Sequence, residues 1–463
     1  MKRYLAIMGI LLAALLASCG GGEAEPSEGT PGERGEFPTP ESPVTITFWH
    51  SMTAAPAETL GQLTNRFNST HPWARVELVF QGGYNDMLSK VLASLGTADL
   101  PPLMQIQDTS TRILVDSDAF VPVQGFIDRD GYDLSDFPGA VLDYYTVDGK
   151  LYPMPFNTSD PLLYYNKIAF REVGLDPEKP PATLEEVREY SRKLVLRDGA
   201  GRVTRAGIAL EIKPERLEHL LAAHGDLYVD NANGRQERPT QVLFDNEAAL
   251  ALFRWWDEML DEELALNVGR NPGGIDHFLA IAAGKAAMTI GTSAALGSVV
   301  DALESGEVTG AELGVGFVPV LEEGDRGVLV GGASLWINKD KPVEEQEAAW
   351  EYIKYLLAPE QQAEWYSGSG YLPLRFSARE LPAAKEVEAK YPPFRIAVEE
   401  LMTTPRNEAT AGPLVGPYAQ IREAVTSALE RMILQGTSPE DALREAAEEA
   451  NQAIEDYRRR LGR

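Results

Sequence analysis

From Val44 the chain reads Val-Thr-Ile-Thr-Phe, an alternation of apolar and polar residues that predicts a strand with one face toward a core. Leu60, Leu63 and Phe67 then recur at intervals of three and four, which gathers them on one side of a helix. Ala74, Val76, Leu78 and Phe80 return to the strand period, Gly82-Gly83 break it, and Leu88, Val91, Leu92 and Leu95 form a second helical stripe. A third strand is expected at residues 103–106. Strands alternating with helices build parallel α/β units, whose ligands sit in the loops at the carboxyl ends of strands.

Between about residues 167 and 287 helical patterns dominate, with Trp255, Trp256 and Met259 expected in the core, and a strand-like piece follows at 287–290. Near the C-terminus Ser438 is placed to cap a helix and Pro439 to occupy its first turn. Leu443, Ala447, Ala450, Ile454, Tyr457 and Leu461 then give that helix one face to bury. No period of 20 to 50 residues points to a solenoid or propeller.

The first residues follow another logic. Met1-Lys2-Arg3, an apolar run over 4–16 and the sequence Leu16-Ala17-Ser18-Cys19 have the layout of a secretory signal ending in a lipobox. Residues 1–19 are therefore expected to be a lipoprotein signal peptide, with lipid on Cys19, the one cysteine of the chain. Residues 20–43, rich in Gly, Pro, Glu, Ser and Thr, lack the apolar surface to order themselves and read as a flexible tether. The remainder is longer than one core usually serves, so two lobes are expected. A formal net charge of −28 disfavours nucleic acid as a partner.

Catalytic signatures are missing. The chain has no HExxH, Walker loop, Rossmann fingerprint or G-x-S-x-G elbow, and its five histidines stand without ligand spacing. No metal, cofactor or catalytic residue is expected, although 70 carboxylates leave a secreted carboxylate-pair hydrolase as a remote alternative. Gly368-Ser369-Gly370 reads first as a turn.

Five segments stand in a telling order: Phe48-Trp49-His50-Ser51-Met52, Pro155-Phe156-Asn157-Thr158-Ser159, Leu163-Tyr164-Tyr165-Asn166-Lys167, Gly331-Gly332-Ala333-Ser334-Leu335-Trp336 and Gly370-Tyr371-Leu372-Pro373. With them the chain, from about Val44 nearly to its end, resembles the glycerol-3-phosphate-binding proteins within the family 1 extracellular solute-binding proteins. The resemblance implies an α/β periplasmic-binding-protein fold of type II, two lobes joined by several hinge crossings and closing over a ligand without chemistry. On that pattern the N-terminal lobe takes residues 44–155 and 292–331, and the C-terminal lobe 156–291 and 332–463. Crossings are expected at residues 152–156, 288–292 and 330–333.

Carried over motif by motif, the resemblance implies ligand contacts from Tyr84, Asp108, Ser159, Thr292, Gly332 and Tyr371. The chemistry suits them, since a carboxylate accepts diol hydroxyls while tyrosine, serine and threonine hydroxyls and a glycine amide donate to phosphate oxygens. Two departures stand out. Leu414 occupies the place of the family's phosphate-binding arginine, and no stacking tryptophan lies between Gly207 and Gly225. Lys213, Arg375 and Arg406 are the candidate cations that would compensate. The chain is thus expected to be the solute-binding lipoprotein of an ABC importer, a monomer tethered on the outer face of the cytoplasmic membrane and serving a permease. Its solute is expected to be glycerol-3-phosphate or, fitting both departures better, a glycerophosphodiester, with an oligosaccharide as the alternative.

Overall fold

The computed structural model describes residues 43–270 and 274–462. Cys19, the signal peptide and nearly all of the expected tether lie outside the described residues. Twelve strands form two six-stranded mixed sheets. The first sheet holds β1 (Val44–His50), β2 (Ala74–Phe80), β3 (Leu103–Gln107), β4 (Phe120–Val121), β5 (Met154–Ser159) and, from far along the chain, β12 (Gly331–Asn338). The second holds β6 (Pro161–Asn166), β7 (Leu196–Arg197), β8 (Val203–Leu210), β9 (Ala265–Asn267), β10 (Ala286–Thr292) and β11 (Leu313–Phe317).

β1 runs parallel to β2 and β3, joined by α1 (Ala54–Thr70) and α2 (Tyr84–Ser94), so the early α/β alternation is realised. Its inward residues Ile46 and Phe48 meet Leu60, Leu63 and Phe67 of α1 in a single buried cluster. In the second sheet β8 is parallel to β9 and β10, whereas β6 lies antiparallel between β10 and β11. Helices α3 (Glu215–His224) and α4 (Glu247–Asp261) cover it, with Trp255, Trp256 and Met259 buried. The helices that follow include α5 (Asp276–Ala282), α6 (Leu296–Glu304), α7 (Val343–Leu356), α8 (Pro359–Ser369), α9 (Pro393–Thr403), α10 (Tyr418–Gln435) and α11 (Pro439–Arg460). At the head of α11 the Ser438 hydroxyl accepts the Asp441 N–H at 3.1 Å, the cap read from the sequence.

The strand pairing corrects the expected lobe boundaries. β11, assigned to the first lobe within 292–331, pairs with β6 of the second sheet. β12, assigned to the second lobe within 332–463, pairs with β3 and β5 of the first, and α7 and α8 pack with it against β1 and α1. The chain passes between sheets at 159–161, not 152–156, and returns between 317 and 331. It passes again after residue 390, because α9 packs on β11 while α10 and α11 pack on α4. A further passage lies just after the expected crossing at 288–292: α6, which follows β10, rests against α1 and α8 on the side of the first sheet before β11 rejoins the second.

Candidate functional site

A polar cavity of about 310 Å³ opens between the two sheets. All six positions carried over from the resemblance border it: Tyr84, Asp108, Ser159, Thr292, Gly332 and Tyr371. They arrive from six different places in the chain, which is why no local motif announces them.

Each is placed by backbone geometry. Gly82, with φ of +90°, turns the chain out of β2 so that α2 begins at Tyr84. The Tyr84 hydroxyl accepts from Asn157 Nδ2 at 2.9 Å and lies 3.5 Å from the Tyr371 hydroxyl. Asn157 Oδ1 in turn accepts from Gln105 Nε2 at 2.6 Å, which ties the tyrosine to the centre of the first sheet. Tyr371 follows α8, and its ring stacks on Trp365 at 5.7 Å.

Ser159 ends β5 opposite Gly331, and Gly332 beside it has φ of +113°. A β-carbon there would stand 1.8 Å from the Asn157 carbonyl oxygen, so only glycine permits this approach of β12 to β5. Thr292 ends β10. Its hydroxyl accepts the Ala294 N–H at 3.3 Å, so it caps the short turn that follows as well as facing the cavity.

Asp108 closes β3 and is buried, with Oδ1 lacking a hydrogen-bond partner among the described residues. Burial pushes its carboxyl up to about 7, against the pull of Arg422 and the Thr109 N–H toward the charged form. Asp160, in the passage between β5 and β6, also borders the cavity, and burial raises it to about 8.

The cations of the cavity come from the second lobe. Lys213 Nζ and Arg216 each lie 3.3 Å from the same oxygen of Glu211, so one carboxylate faces two cations. Arg422 donates to Glu218 at 2.8 and 2.6 Å and to Glu215 at 3.1 Å, its guanidinium 5.0 Å above the Tyr418 ring. Burial opposes ionisation of Glu215, yet Arg422, Lys213 and Arg216 outweigh it and lower the carboxyl to about 2. His219 is kept neutral: burial, then Arg216, lower it to about 3, and its Nδ1 accepts the Leu329 N–H at 3.2 Å.

Of the three candidate compensating cations, Lys213 alone borders the cavity. Arg375 is taken up elsewhere, donating to the Leu357 carbonyl at 2.9 Å and lying 4.3 Å over the Phe137 ring. Arg406 is largely exposed and forks onto Asp143 at 2.7 and 2.8 Å. Leu414 is buried, its N–H bound to the Asn233 carbonyl at 2.8 Å, and Tyr418 and Arg422 face the cavity in its stead. Sequence reasoning passed over Arg216, Arg422 and Tyr418. A usable signal existed, since Tyr418 and Arg422 stand four apart at the start of one helix and share its face.

The family model described as bacterial extracellular solute-binding protein matches residues 62–392. The sn-glycerol-3-phosphate-binding periplasmic protein UgpB of Salmonella paratyphi A is 31% identical over 418 residues, covering 89% of this chain and 92% of the relative. UgpB of Escherichia coli O6:K15:H31 is 30% identical over 420 residues with the same coverage. Among solved structures, UgpB from Mycobacterium tuberculosis in complex with glycerophosphocholine superposes with a TM-score of 0.74 at 21% identity, covering 89% of this chain and 99% of that one. The GacH receptor of Streptomyces glaucescens, solved unliganded and with acarbose, gives 0.73 at 20% identity, with coverages of 90% and 100%. At such identities these two likenesses speak for the two-lobe fold alone. The family match over most of the chain and the near-full-length relatives at 30% identity or more establish membership: this chain belongs to the bacterial extracellular solute-binding proteins.

Proposed function

We propose that the chain is the solute receptor of a bacterial ABC uptake transporter and that its solute is a glycerophosphodiester carrying a single negative charge. The observation that carries this reading is the pairing, in one interlobe cavity, of four hydroxyl side chains with a cluster in which Lys213 and Arg216 share Glu211. Three cations, Lys213, Arg216 and Arg422, balance three carboxylates, Glu211, Glu215 and Glu218, around the cavity, so a head group of low charge suits it, and the Tyr84, Tyr371, Ser159 and Thr292 hydroxyls with the Gly332 amide supply donors to the oxygens of a monoanion. The open carboxyl oxygen of Asp108 is placed to accept glycerol hydroxyls. A dianionic phosphate fits less well, because Arg422 is already held by two glutamates and a second buried charge would go unmatched. The relatives named for glycerol-3-phosphate and the neighbour solved with glycerophosphocholine support the same class.

Function follows without a chemical step. Groups from both lobes border the cavity, so a solute touching both stabilises the closed arrangement, and that arrangement is what the membrane permease accepts. Lipid on Cys19 keeps the monomeric receptor beside the permease on the outer face of the membrane. A neutral oligosaccharide is the second reading, favoured by the acceptors that Glu215, Glu218 and Asp108 offer to sugar hydroxyls.

Thermal unfolding with glycerophosphocholine, sn-glycerol-3-phosphate and maltose separates these readings. A ligand at 100 times its Kd adds about 2.7 kcal/mol of stability and raises Tm. The largest rise is expected with glycerophosphocholine. A rise with maltose alone would move the assignment to sugars.

A further inference from the structure

A second and larger chamber, about 570 Å³, adjoins the polar cavity, and Tyr84, Thr292, Ala294 and Tyr371 border both. Its character is different. On one side Ile275 and Leu279, four residues apart and so on one face, remain 56% and 53% exposed. On another, Ala295 at the cap of α6 and Val299, Ala302 and Leu303 within it follow one another at helical spacing, an apolar row running about 12 Å. Met52 and Pro56, at the head of α1, complete the wall from the first lobe. An exported protein that leaves a contiguous apolar surface uncovered incurs a standing risk of association, so such a surface marks something that covers it.

We propose that this chamber receives the hydrocarbon chain of the solute, and that the receptor takes single-chain glycerophosphodiester amphiphiles of the lysophospholipid class. The proposal rests on the head-group reading above and extends it. The head group occupies the polar cavity, its glycerol lies at the shared edge formed by Tyr84, Thr292 and Tyr371, and the acyl chain runs between α5 and α6. The shared edge selects this occupant: the two chambers meet at Tyr84, Thr292, Ala294 and Tyr371, so a chain attached to a head group held there starts beside the apolar walls. Apolar burial would then add affinity in proportion to chain length, about fourfold for each methylene fully covered.

Isothermal titration of the purified chain with glycerophosphocholine and with hexanoyl lysophosphatidylcholine tests the proposal directly. The expected result is that the hexanoyl ligand binds at least about tenfold tighter, with a more negative heat-capacity change as apolar surface leaves water. The double substitution I275Q/L279Q should abolish that gain while leaving the glycerophosphocholine Kd within about twofold. Both side chains are more than half exposed, so the fold does not depend on them. Glycerophosphocholine binding with no gain from the acyl chain would overturn the proposal and leave the chamber as a face covered when the lobes close. A gain that survives the double substitution would overturn it too, by sending the chain elsewhere. Failure of both ligands would defeat the head-group reading itself, a different and recognisable result.

Discussion

Asp108 is held between opposing influences: burial favours its neutral form, while Arg422 and the Thr109 amide favour the charged one. Its folded value of about 7 lies above that of an unfolded aspartate, about 4. Between those values the folded chain binds more protons than the unfolded chain, so this group's contribution to stability falls as pH rises from about 4 to 7. Ligand binding has the opposite sign, because glycerol hydroxyls donate to the carboxylate and favour its ionisation. Affinity for glycerophosphocholine is therefore expected to increase from pH 6 to pH 8, and Asp108→Asn to flatten that rise and weaken binding at pH 8 by about tenfold. Titration calorimetry across that range decides it. At this scale the six positions for which the resemblance implies ligand contacts, Tyr84, Asp108, Ser159, Thr292, Gly332 and Tyr371, border one cavity, and none of them follows from periodicity. The failure of Arg375 and Arg406 is equally physical: a cation far from the site in sequence finds the nearest acceptor or aromatic ring, and only the fold says which.

Among the elements, β12 is the one most constrained by its neighbours. Substituting Gly332→Ala forces a β-carbon into the Asn157 carbonyl and an alanine to a φ of +113°, a backbone cost of about 1–3 kcal/mol before the clash is counted. Urea denaturation should show a lower midpoint for this variant. By contrast Gly61→Ala within α1, where an added β-carbon meets nothing within 4 Å, should raise the midpoint by the equivalent of about 0.5–1 kcal/mol. Elements with one solvated face were legible from pattern: β1, β2, α1 and α11 all show their period in the sequence. β8 was not. From Arg205 to Leu210 every residue is buried, so a strand covered on both faces shows no alternation, and it vanished into a segment read as helical. The lobe assignment of β11 and β12 failed for a related reason, since hydropathy tells whether a strand is buried but not which sheet buries it.

For the molecule as a whole, the proposed receptor function makes a demand that binding alone does not. Small-angle scattering should show the radius of gyration falling when saturating glycerophosphocholine is added, as groups from both lobes close on one ligand. An unchanged radius despite tight binding would remove closure from the account. That there are two lobes followed from length and from the resemblance. How the chain is shared between them did not, because that depends on long-range strand pairing.

The sharing has a mechanical consequence. Two bodies joined by one strand of chain are free to swivel, slide and twist about it. Here the chain threads from one body to the other at 159–161, again between 317 and 331, and once more after 390, so at least three tethers join the two bodies, the first two paired at Ser159 and Gly331. Several tethers at separate points oppose twist and shear while still allowing the bodies to bend toward one another. The opening of this molecule thereby reduces to little more than one angle, and a permease that gauges that angle has nearly all the information it needs about whether the receptor is loaded.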